Sequence, residues 1–152
     1  MRHLALLALL VTAGVTTAED KKADPKKADT TTKVTGTFTV PKEQASFEKL
    51  TLVIRLYEYD PKGADKGAEL LDTVEVKDFK HEKGKETVEK FEIGAKGMIK
   101  DGKGYYLSLY VQDGETRVSR GDLSHDAGLG KVLTDKHPRE VKATARQIGG
   151  KK

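Results

Sequence analysis

The 152-residue chain predicts an all-β fold, a small antiparallel β-sandwich of about seven strands. Three observations predict it. Apolar residues alternate with polar ones, two-residue period, in runs bounded by proline, Asp-Pro or Asp-Gly. The runs recur roughly every 15 to 20 residues, and no helical pattern of about twelve residues falls between them. Each alternating strand has one apolar face to bury, and two facing sheets bury it most simply; a closed barrel is the rival architecture.

Residues 1–18 read as a signal peptide: Met1-Arg2-His3 is a basic start, Leu4 to Val11 an apolar run, and Thr16-Thr17-Ala18 a small-residue cleavage site before Glu19. The apolar run is shorter than the roughly 20 residues a spanning helix needs. The reading implies a periplasmic or secreted product without a transmembrane segment in the mature chain. Residues 19–33 contain no aromatic and no large aliphatic residue, so they predict a disordered charged linker. The folded domain is then 34–148, followed by a flexible tail, 149–152.

Within the domain, Val34, Phe38 and Val40 share one face of an opening strand that Pro41 ends. Ala45 to Lys49 has room for a helical turn. Leu50, Leu52, Ile54 and Leu56 form the clearest inward row, with Val53 and Tyr57 opposite, up to the Asp60-Pro61 turn. Strands follow at 70–76 and 87–93. Tyr105, Leu107, Leu109 and Val111 make a second long inward row, and Asp113-Gly114 turns it into a hairpin with 116–120. Residues 121–137 read as irregular structure or a short helix, and a last strand falls within 140–148. The two long strands, 49–60 and 104–113, are the expected central pair.

Composition removes several functions. There is no cysteine, which excludes disulfides, thiol nucleophiles and thiolate metal sites, and no tryptophan to stack on sugars. The formal charge is +4, from 28 basic and 24 acidic residues mixed along the chain, which argues against a nucleic-acid surface. No cofactor motif is present: the stretch from Gly102 to Tyr110 leads into a strand and is not a phosphate loop. No Gly-x-Ser-x-Gly elbow accompanies Ser119, Ser124 or His125, which leaves a hydrolase little to work with.

Two other sets of residues carry candidate chemistry. His125, His137, Asp122 and Asp126 supply metal-ligand types in one loop region, though at no zinc-signature spacing. Asp60, Asp65 and Asp101 fall on loops that an up-and-down order would bring to one end, the basis of a calcium reading that nearby lysines oppose. The leading candidate is different: Val53, Tyr57, Tyr59, Tyr106 and Tyr110 lie opposite the inward rows and would form a partly apolar outer patch, a binding surface for a protein or a glycan of the cell envelope. The same tyrosines would serve equally to cover a sheet edge or build a second core layer.

The order of strands also carries a resemblance. The Val-x-Gly-x-Phe-x-Val opening at 34–40, the long row at 50–56, Phe91-Glu92-Ile93, the Tyr-x-Leu-x-Leu-x-Val run at 105–111 and Val132-Leu133-Thr134 together resemble the YbaY/YscW-like family of exported lipoproteins, with its type III secretion lipoprotein chaperone-like domain. Such a resemblance implies an all-β envelope module without a catalytic site. The chain departs from it in lacking the lipobox cysteine, and in a longer charged stretch from Pro41 to Phe47. The expected function is a non-catalytic, exported binding or chaperone-like module acting through its outer sheet surface; a carbohydrate-associated module, a metal-binding protein and a weak hydrolase are the alternatives.

Overall fold

The computed structural model describes residues 29–63 and 66–148. The segments read from the sequence as signal peptide and tail, and most of the one read as linker, lie outside the described residues. Eight strands run in the order β1 (Val34–Val40), β2 (Phe47–Tyr59), β3 (Glu69–His81), β4 (Thr87–Ile93), β5 (Gly104–Asp113), β6 (Thr116–Leu123), β7 (Lys131–Val132) and β8 (Glu140–Gln147). Among the described residues there is no helix. The fold is all-β.

The strands form one hydrogen-bonded path, β3-β2-β5-β6-β8-β1-β4, with β7 added to β5. This differs from the expectation of two separate facing sheets. The path curls until its two end strands approach each other, so the shape is nearer to an open barrel, as strand twist favours in a sheet of this many strands. Two side-chain bonds join the ends: the Gly94 N–H donates to Asp72 Oδ2 at 2.8 Å, and Thr87 Oγ1 meets His81 Nδ1 at 3.0 Å. One ladder, β1 with β8, is parallel. These strands stand at opposite ends of the domain sequence, and the long connection between them makes a parallel pairing feasible.

The core follows the predicted rows. Leu52, Ile54 and Leu56 from β2 meet Leu107, Leu109 and Val111 from β5, and all six are buried. Val34, Phe38 and Val40, Phe91 and Ile93, and Val141, Ala143 and Ala145 complete it from the other side. The central pairing of β2 with β5 is as expected, from Thr51↔Gln112 to Tyr59↔Gly104.

Three differences have local causes. β3 continues past residue 76 to His81 because Asp78, at φ 54°, forms an irregularity that shifts the phase, so that Phe79 rather than residue 78 turns inward. The 45–49 stretch is not a helical turn: β2 begins at Phe47, and Lys49 takes φ 58°. The third difference concerns the start of the domain. Residues 29–33, read as linker, are tied onto the sheet. Thr32 is buried, its hydroxyl donates to the Gly94 carbonyl at 2.6 Å, its N–H donates to Gly97 O at 2.9 Å, and Arg139 donates to the carbonyls of Thr31 and Lys33.

Candidate functional site

The pairing of β2 with β5 places the outward residues in facing rows. Val53 is opposite Tyr110, Arg55 opposite Ser108, Tyr57 opposite Tyr106, and Tyr59 opposite Gly104. The five residues singled out in the sequence therefore share one face. Tyr57 and Tyr106 stack with centroids 4.9 Å apart and planes 10° apart, and Tyr59 tilts against Tyr106 at 5.9 Å. Gly104 makes room for this: a Cβ there would lie 2.4 Å from the Tyr59 ring. Burial, and then the neighbouring Tyr57, push the Tyr106 phenol above the ordinary tyrosine value.

Two of the five are not exposed. Val53 is fully buried and Tyr110 is 3% exposed. Long basic side chains cover Tyr110: the Arg117 guanidinium lies 4.2 Å from its ring centroid and that of Arg55 5.5 Å. Alternation tells which face a side chain is on, but not whether another side chain lies across it. The accessible part of the patch is therefore Tyr57, Tyr59 and Tyr106, all half-buried.

Beside them the sheet opens into a groove of about 920 Å³. It exists because β6 does not follow β5 along its length. After the irregularity at Val111/Gln112, β6 pairs with β5 only through Tyr110 to Asp113, then departs along β8 from Ser119↔Gln147 to Leu123↔Ala143. β7 replaces it farther along, against Tyr105 and Tyr106, with the Leu107 N–H donating to Gly130 O at 2.9 Å. Gly130 has φ 67°, and a Cβ there would meet Leu107 O at 2.6 Å, so a side chain is excluded. The floor is β5 from Tyr106 to Tyr110, with Pro61, Lys66 and Ala68 forming one wall and residues 126–131 the other. Leu129 and Ile148, both exposed, line it. The sequence reading passed over these two residues; the signal was a leucine between two glycines inside a polar loop.

Asp126 builds the second wall. Its Oδ1 accepts the N–H groups of Gly128 and Leu129, both at 3.2 Å, and its Oδ2 accepts that of Lys131 at 3.1 Å. The Lys131 bond above all, helped by those of Leu129 and Gly128, holds its carboxyl below the ordinary aspartate value against the opposing effect of burial. Asp122 is engaged as well, by Arg120 Nε and Arg146 Nε, each at 2.9 Å.

Of the candidate metal ligands, Asp122, Asp126 and His125 have other partners among the described residues. The His125 and His137 rings lie 6.1 Å apart, and His125 Nε2 contacts the Lys131 carbonyl at 2.7 Å. The carboxylates expected to join them are held by arginines or by loop amides, and among the described residues no three potential ligands converge. In the calcium reading, Asp60 pairs with Lys103 at 3.3 Å, and Asp65 lies outside the described residues. In the hydrolase reading, Ser119 is buried and accepts a bond from Gln44 Nε2 at 2.7 Å, away from a base role for His125. His81, unlike His125 and His137, is buried, and it bridges Thr87 and the Gln44 carbonyl inside the fold.

No protein-family model and no curated protein matches the chain. Among solved structures, the chain is similar to an alternative pilotin from the type II secretion system of Vibrio cholerae, with a TM-score of 0.56 and 18% identity over 78% of this chain and 97% of that one. At that identity the likeness is one of fold.

Proposed function

We propose that this domain is a non-catalytic, exported binding or chaperone-like module that holds a segment of a cell-envelope protein in the groove beside β5. One observation carries the reading. The groove beside β5 is lined by half-buried tyrosines and by Leu129 and Ile148, while its carboxylates, Asp122 and Asp126, are engaged by arginines and loop amides rather than aimed at a reacting atom. A catalytic site needs converging groups of matched proton affinity, whereas a binding surface needs apolar area and a few polar anchors.

The fold shared with a secretion-system pilotin supports a protein partner, and so does the resemblance to the YbaY/YscW-like lipoproteins. The absence of a cysteine removes a lipid anchor on that residue type, so the module would act free in the periplasm or outside the cell. A glycan fits less well, because Tyr57 and Tyr106 turn one ring face toward each other, which withdraws it from a sugar.

Affinity capture from a periplasmic extract tests the reading. The wild-type domain retains a discrete protein, and Leu129→Glu with Ile148→Glu loses it while the thermal melt stays put. Retention of the same protein by that double variant would contradict the proposal, as would turnover of an ester, glycoside or peptide substrate abolished by His125→Ala.

A further inference from the structure

We propose that the groove selects an acidic protein segment, one that sets apolar residues against Leu129 and Ile148 and carboxylates toward Lys66, Arg117 and Lys131; the inference rests on the binding reading above and adds the chemistry of the partner.

Residues 29–148 are electrically balanced. Seven of the 28 basic residues and three of the 24 acidic ones lie outside this span, which leaves 21 of each within it. The two large concavities are not balanced. The groove beside β5 holds Lys66, Arg117, Arg120 and Lys131 against Asp122 and Asp126, a net of +2. The cleft between the ends of the sheet holds Glu48, Asp78, Glu82, Glu86 and Glu89 against three lysines, a net of −2. The sign of the groove is thus a local property of its lining, and a concave low-dielectric wall focuses such a field.

The groove's own carboxylates do not neutralise its outer cations. Asp122 is shared by two arginines, and the oxygens of Asp126 accept three backbone N–H groups. Among the described residues, Lys66, Arg117 and Lys131 form no ion pair. Arg117 is positioned by the Tyr110 ring beneath it rather than by a carboxylate. A guanidinium stacked on a ring keeps its edge N–H groups for a bidentate carboxylate. The apolar contribution of Leu129 and Ile148 is what a polysaccharide would leave unused, and the loop walls keep a flat lipid surface from the floor.

Fluorescence anisotropy with three labelled peptides of roughly ten residues, long enough at about 33 Å extended to cross the groove, tests the inference. All carry leucine at alternate positions, with glutamate, glutamine or lysine between. The glutamate peptide should bind about tenfold more tightly than the glutamine one, as three exposed ion pairs would give, and the lysine peptide least. Raising salt from about 0.05 to about 0.3 M should remove most of the difference. Arg117→Gln with Lys131→Gln, with an unchanged circular dichroism spectrum, should bring the glutamate and glutamine peptides together, whereas Leu129→Ser should weaken both.

Equal binding of glutamate and glutamine peptides, both lost in Leu129→Ser, would overturn the charge selection and leave the groove reading standing. Binding by none of the peptides overturns the inference. Displacement of the glutamate peptide by polygalacturonate at matched charge would make the site a general polyanion site and overturn the protein assignment. Salt-dependent dimerisation of the domain that excludes the peptide would make a second copy the occupant.

Discussion

Asp126 shows how much of the site one side chain organises. Its carboxylate accepts three loop amides, and its pKa lies below the ordinary value mainly because of the Lys131 N–H. A carboxyl depressed in the folded state stabilises fully above its unfolded pKa, near ~3.9, and loses that contribution as pH falls through the lower folded value. The amide resonances of Leu129 and Lys131 should therefore titrate with a midpoint below ~3.9, and a midpoint at or above it would contradict the assignment. Asp126→Ala should cost about 1–3 kcal/mol and raise hydrogen exchange at Gly128, Leu129 and Lys131, because those donors lose their acceptor. At this scale the sequence was informative about direction and silent about cover. It placed Tyr57, Tyr59 and Tyr106 on one face, where they are, and it placed Tyr110 there too. That Arg117 lies across Tyr110 depends on β6 bending past β5, a tertiary event that leaves no local pattern.

Among the elements, β2 and β5 were readable from end to end, because both inward rows keep a two-residue period without interruption. Leu52→Ala or Leu107→Ala should each cost roughly 2–5 kcal/mol, and the double substitution should lower Tm by on the order of 10 °C or more. A melt within a few degrees of wild type would remove this pair from the centre of the core. Elements whose period breaks were harder to read. β3 slips phase at Asp78, β7 is only two residues long, and residues 29–33 have no apolar side chain to announce their attachment. The last of these is held by hydrogen bonds: Thr32→Val keeps the shape, removes the buried donor to the Gly94 carbonyl, and should cost about 1–3 kcal/mol in denaturant melts. No change in the midpoint would mean that the segment is bound by something else.

For the whole molecule, the class followed from spacing and turns, while the closure of the sheet did not. Two sheets and one curled sheet bury the same alternating rows, so the periodicity that predicts strands is indifferent to how their ends meet. Here β6 leaves β5 to join β8, and that one change of partner both curls the sheet and opens the groove. Export is the other claim at this scale. Intact mass of the periplasmic form should show a chain beginning at Glu19 or within about two residues of it, and a species retaining residues 1–18 would contradict it. The central claim is that the groove beside β5 holds a protein, and site-specific photo-crosslinking in the producing cell tests it most directly. A benzophenone side chain at Leu129 is compared with one at Val88, which is also exposed but lies on β4, outside the groove. The account predicts a discrete protein adduct at Leu129, mapping to a segment rich in acidic and apolar residues, and none at Val88. Identical adducts from both positions, or none at Leu129, would contradict it.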